Sequence, residues 1–211
     1  MTAGPDGGVM MALQGAFALV TLGYVWWRFG GGDAATFGLV AGGYSAAGDV
    51  FNAFAKHAYE YPGHGFAWVF VYVFLGWIGI SGTCLFVAEG ILARAGHDLL
   101  TQRHLGWQAP LLAGLIAVAF DLFVDPVAAS ARFWVWLVPG PVFYGIPLLN
   151  FVGWFVLVLL AAAVWTWIVK HRPWAVRRKL AVAAGAWLPC TAAGFAVSAG
   201  LNRAIGLLGL Q

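Results

Sequence analysis

Leu111-Leu-Ala-Gly-Leu-Ile-Ala-Val-Ala-Phe-Asp-Leu-Phe-Val-Asp-Pro126 decides the fold class. Ten residues without a polar side chain lead into two carboxyls four positions apart. Extended to Gln108–Ala128, the run reaches the ~20 mostly apolar residues that a membrane-spanning helix needs. Similar runs occupy Val9–Phe29, Ala35–Ala55, Phe66–Arg94, Tyr144–Val169 and Leu180–Ile205. The chain therefore reads as a single all-α integral membrane domain over residues 1–211, a bundle of about six transmembrane helices. The second run is the weakest, rich in Gly and carrying Asp49, and its Gly38-x-x-x-Gly42 spacing points to close helix packing.

Composition agrees. Of 211 residues, 62% are hydrophobic and 9% charged, against about 25% charged in a soluble domain. So few charges cannot coat a globule of this size, and most of the exterior must meet lipid. Twelve Trp exceed what interfacial belts alone require. Cys84 and Cys190 lie in apolar runs and read as small packing residues. Met1–Gly8 lacks a basic segment and the first apolar run is too long for a signal peptide, so that run reads as the first span.

Orientation follows from Lys and Arg near the span ends. With six spans, Arg28, Arg94, Arg103, Lys170, Arg172, Arg177, Arg178 and Lys179 share one side, while Lys56, Arg132 and Arg203 share the other. The richer side is expected to be cytoplasmic, with both termini outside. The net charge of +3 comes largely from the 170–179 loop. It reports topology and gives no sign of nucleic-acid binding.

Ionisable residues inside spans are costly and each is a functional candidate. Asp121 and Asp125 project from one helix face, one turn apart. Asp121 lies roughly 20 Å into its helix at about 1.5 Å per residue. Two carboxyls this close in a low-dielectric setting favour one retained proton, and a neutral acid in an apolar cavity suits protonation of a carbon–carbon double bond. The plainer alternative has both bonding to neighbouring helices. Asp49 meets Asp121 only if the second span packs beside the fourth. Glu89, close to Arg94, is expected to snorkel to the interface.

Pro126 is expected to end or bend its helix. The segment after it, with five aromatics and three Pro from Phe133 to Pro147, is too broken for a span and too apolar for a solvated loop. Such a segment must be buried in protein or line a cavity. Trp134, Trp136, Tyr144 and Trp154 offer π-faces to a developing cation, or else form an interfacial belt. Asn150 is placed to orient a carboxylate or a water, or to bond between helices. No clustered His boxes, metal-ligand spacing or dinucleotide fingerprint occurs, so no metal or cofactor is expected.

The elements Asp121-Leu-Phe-Val-Asp-Pro126, Trp134-Val-Trp136 and Gly145-Ile-Pro-Leu-Leu-Asn-Phe-Val-Gly-Trp154 resemble the carotenoid biosynthesis membrane-protein family that includes the hydratases of γ-carotene and bisanhydrobacterioruberin. The resemblance covers about 35 residues of the C-terminal half. Tyr59-Glu-Tyr-Pro-Gly-His-Gly-Phe-Ala-Trp68 shares only Gly, Pro and Tyr with the family's earlier motif, and Ser81-Gly-Thr-Cys84 and Glu89 also depart from it. The resemblance implies cofactor-independent hydration of the terminal 1,2 double bond of an acyclic carotenoid end group. Asp121 or Asp125 is then the acid, its partner orients water, and Trp134, Trp136, Tyr144, Asn150 and Trp154 surround the substrate.

Partners are expected to be a carotenoid or other apolar isoprenoid and membrane lipid, in a bacterial or archaeal cytoplasmic membrane; a homo-oligomer stays open. Two rival readings remain. One is a non-catalytic carotenoid- or lipid-binding subunit of a pigment-containing complex. The other is an intramembrane prenyltransferase, which needs a second acidic cluster to hold magnesium against a diphosphate.

Overall fold

The computed structural model describes residues 6–138 and 142–207. Helix α1 (Gly7–Phe29) is capped by Asp6, whose carboxylate accepts the Gly8 N–H at 2.8 Å. It stops at Gly30, whose φ of 95° is open to glycine without a Cβ clash. A second helical run covers residues 31–55 as α2 (Gly31–Phe37), a π-helical stretch Gly38–Tyr44, α3 (Ser45–Val50) and a second π-helical stretch Phe51–Ala55. The long helices α4 (Phe66–Leu92), α5 (Leu105–Ser130) and α6 (Leu148–Lys170) form the centre, and α7 (Val176–Gly185) and α8 (Trp187–Leu207) complete the bundle.

Among the described residues, five helices are long and apolar enough to cross a membrane: Gly7–Phe29, Phe66–Leu92, Leu105–Ser130, Leu148–Lys170 and Val176–Leu201. The span expected over Ala35–Ala55 falls in the second helical run and is not among the five. Its glycines let the backbone widen into π-turns, so the run alternates α- and π-helical stretches, none of which alone reaches span length. Gly42 nonetheless does what its spacing implied. A Cβ there would stand 2.8 Å from both Ile78 and Phe74, so α4 packs directly on the backbone. Gly38 takes little part, its nearest neighbour being Leu22 at 3.8 Å.

α5 does not end at Pro126. It continues to Ser130, because proline removes one backbone hydrogen bond while α4 and α6 hold α5 from two sides. The aromatic segment beyond it is built from very short strands. β1 (Tyr59–Glu60) pairs antiparallel with β2 (Val135–Trp136), and β3 (Val142–Phe143) forms a hairpin with β4 (Ile146–Pro147). Residues 139–141 of that segment lie outside the described residues.

The exterior supports a lipid-facing bundle. Trp26, Trp27, Trp107 and Trp167 are exposed at the shared end where α1 and α6 finish and α5 begins, an aromatic girdle of the kind found at membrane interfaces. Cys84 and Cys190 are buried free thiols. Ion pairs fasten the same end. Glu89 is buried, contrary to the expected snorkelling: Arg28 donates to both of its oxygens at 2.6 Å, and the Leu99 N–H donates to Oε1 at 2.6 Å. A carboxylate that finds a bidentate guanidinium within the bundle has no need to reach water. Lys179, counted above as a topology charge, is instead buried against Asp33.

Candidate active site

The site forms where α5 ends and α6 begins. Asp125 is five residues from the end of α5, about 8 Å along the axis, and Asp121 about 14 Å. Both carboxyls are shielded, with Asp121 at 0% and Asp125 at 2% exposure. They turn towards α6, whose third residue is Asn150. The Asn150 Nδ2 donates at 2.8 Å to Asp121 Oδ2 and at 2.5 Å to Asp125 Oδ2. One amide nitrogen thus holds two carboxyls together. Asp121 Oδ1 has no hydrogen-bond partner among the described residues.

Asp49 arrives from α3. Its Oδ2 accepts the Trp77 Nε1–H at 3.0 Å, and its Oδ1 accepts from the Tyr59 hydroxyl, with the Tyr61 hydroxyl at 3.5 Å. The Tyr59 hydroxyl also lies 3.0 Å from the Asp49 carbonyl oxygen. Burial, with the nearby Asp49 carboxyl adding to it, raises the Tyr59 and Tyr61 phenols well above the usual tyrosine range, so both stay protonated donors. Strand β1 places these two tyrosines, because pairing with β2 draws the 56–65 connection under the aromatic segment.

Asp49 and Asp125 line one cavity of about 80 Å³, together with Tyr59, Trp77, Asn150 and Trp154. Asp121 is behind Asp125 and does not line it. Trp134 and Trp136 close one side; Trp136 packs on Tyr59 at 4.7 Å between ring centroids, and its Nε1 has no protein partner. Beside this cavity runs a second, of about 760 Å³, bounded by α3, α6, α8 and the end of β2. Asp49, Tyr59, Trp77, Trp136, Asn150 and Trp154 line both. Gly48, Pro147, Gly153, Leu157 and Phe195 make the larger one mainly apolar, and its size is in the range of small-molecule sites.

Of the residues singled out in the sequence, Asp121, Asp125, Trp134, Trp136, Asn150 and Trp154 come together here. Tyr144 does not. It occupies the tip of the β3–β4 hairpin with a φ of 50°, followed by Gly145 at 84°, and is 81% exposed. A two-residue hairpin turn demands left-handed backbone at both positions, and this turn carries the phenol away from the cavity. Asp49 approaches Asp125 across the cavity instead of joining Asp121. Tyr59, Tyr61 and Trp77 were not singled out as site residues; the signals for the two tyrosines were the Tyr59-x-Tyr61 spacing and the place of that stretch opposite the family's earlier motif. Among the described residues no three His, Cys, Asp or Glu side chains gather as a metal site.

Five long apolar helices among the described residues, with a buried carboxyl cluster beside an apolar groove, make this a multi-pass α-helical membrane protein. The model of the carotenoid biosynthesis protein family matches residues 7–209, and the chain belongs to that family. The match takes in the N-terminal half, including the Tyr59–Trp68 stretch where the motif resemblance is thin. No curated protein and no solved structure matches the chain.

Proposed function

We propose that the protein hydrates the terminal 1,2 double bond of an acyclic carotenoid end group by acid catalysis. The observation that carries this reading is the Asp121–Asn150–Asp125 bridge, with Asp125 facing a small cavity that Asp49, Tyr59 and Asn150 also line and that adjoins a large, mainly apolar groove. The polyene lies in the groove with its end group against Asn150 and Trp154. Asp125 gives a proton to carbon 2, the π electrons form the new C–H bond, and a tertiary cation is left at carbon 1. Trp77, Trp136 and Trp154 face that cation. Water then adds at carbon 1. Asp121, behind Asp125, shares the proton before transfer.

Its place along the bundle supports the same reading. Hydration joins a water molecule to a substrate that dissolves in lipid, and a site one or two helical turns from the end of α5 is near both. The groove alone would equally serve a subunit that only holds pigment. Expression in a lycopene- or γ-carotene-producing bacterium separates the two. A carotenoid heavier by one water, absent with Asp121→Asn and Asp125→Asn, supports the hydratase. Unaltered pigment co-purifying with the chain, with no such product, overturns it.

A further inference from the structure

Three carboxyls converge at this site, and their surroundings are unlike. We infer that Asp49 is the base of the reaction, taking a proton from the attacking water on the side of the cavity opposite Asp125; this rests on the hydratase reading above.

The donor inventory carries the inference. The Trp77 indole N–H can only donate, so Asp49 Oδ2 is an acceptor. On the other oxygen, the Tyr59 hydroxyl stands in hydrogen-bond contact and the Tyr61 hydroxyl at the limit of reach. Trp77 and the two hydroxyls can all donate to Asp49, a fuller set of donors than the acid pair has, and such a setting suits a carboxylate that accepts. Asp121 and Asp125 have one amide nitrogen between them, and Asp121 Oδ1 has nothing. A shared proton belongs with the pair that lacks donors. The cavity of about 80 Å³ holds two waters at about 30 Å³ each. Asp49 faces the larger groove as well, so its carboxylate borders both the water and the substrate end group.

The step balances. Asp125 O–H breaks as the carbon 2 C–H bond forms from the π pair. A water lone pair makes the C–O bond at carbon 1, and the proton released from that oxygen binds Asp49. Cavity water returns it to Asp125, so one water is consumed and nothing is oxidised or reduced.

Membranes carrying each variant, incubated with acyclic carotenoid in heavy water, test this. Asp49→Asn should lower hydration about 100-fold or more, as loss of a general base does, while the recovered substrate still gains deuterium at its end group. The acid pair then protonates carbon 2 and the cation collapses back without water. Asp125→Asn should show neither product nor deuterium. Asp49→Glu, which keeps a base one methylene further out, should regain part of the hydration. Asp49→Asn that hydrates at the wild-type rate overturns the assignment. So does a folded Asp49→Asn, judged by wild-type thermal melting, that incorporates no deuterium. Should Asp49→Asn melt early, Asp49→Glu decides: hydration upholds the base, and a folded, inactive variant refutes it. A wild-type chain that neither hydrates nor exchanges removes the hydratase reading itself, a result distinct from all of these.

Discussion

The Nζ of Lys179 stands 2.7 Å from Asp33 Oδ1, joining α7 to the start of the second helical run across 146 residues of sequence. Both side chains are nearly sealed from the exterior, and the Asp33 carbonyl accepts from Trp165 Nε1 at 2.9 Å and from Thr36 Oγ1 at 2.8 Å. Removing one partner of such a pair strands the other charge, at about 3–5 kcal/mol. Lys179→Met should therefore lower the melting temperature in detergent sharply, and adding Asp33→Asn should restore much of it. A single variant that melts like the wild type would show the pair to be inert.

At the same end, Asp98 gathers a local cluster. Burial pushes its carboxyl up, but the Thr101 hydroxyl, the N–H groups of Thr101 and Leu100, and Arg28 together hold it below the usual aspartate range. A depressed carboxyl stabilises fully above its unfolded value, about 3.9, and loses that contribution as pH falls through the folded value. Protection of the Asp98–Gln102 amides from exchange, relative to their intrinsic rates, should fall on acidification below about pH 4. Thr101→Val should move that loss of protection to higher pH.

Asn150 governs the acid pair. Asn150→Leu keeps similar bulk and removes the only donor that Asp121 and Asp125 share. Hydrogen bonds to carboxylates contribute about 1.5–3 kcal/mol each. Product should fall by at least about tenfold per bond at the low end of that range. Wild-type yield from Asn150→Leu would dissolve the argument for a bridged pair.

Gly153 lines the large groove and has no atom within 4 Å of where a Cβ would stand. Gly153→Phe should therefore fill the groove without straining α6, where most residues are better helix formers than glycine. Pigment bound per purified protein should drop several-fold with melting unchanged. Tyr144→Ser, altering a residue far from either cavity, should leave both pigment and product as they were.

How much of this was legible beforehand depended on distance along the chain. Asp121 and Asp125 reveal themselves by being four apart in an apolar run, and Asn150 by entering the next helix. The surroundings of Asp49 do not, since Trp77 is 28 residues away and Tyr59 sits on a two-residue strand whose partner lies beyond α5. Lys179 looked like one more basic loop residue because its partner is 146 positions earlier. Glu89 misled for a related reason: Arg94 is near in sequence, but Arg28 is near in space. Pro126 reads in isolation as the end or a bend of its helix, and the helices flanking α5 carry it on to Ser130.

The π-helical stretch Gly38–Tyr44 sets the phase of everything downstream in its run. An α-helix turns about 100° per residue, so each residue absorbed by a wide turn rotates what comes after it by roughly that angle. In an uninterrupted α-helix of the same residues, the Asp49 carboxyl would be turned away from Trp77 and the tyrosines by such an angle. The wide turns thus act as a spacer, absorbing surplus chain so that a carboxyl late in the run still meets partners fixed elsewhere in the bundle.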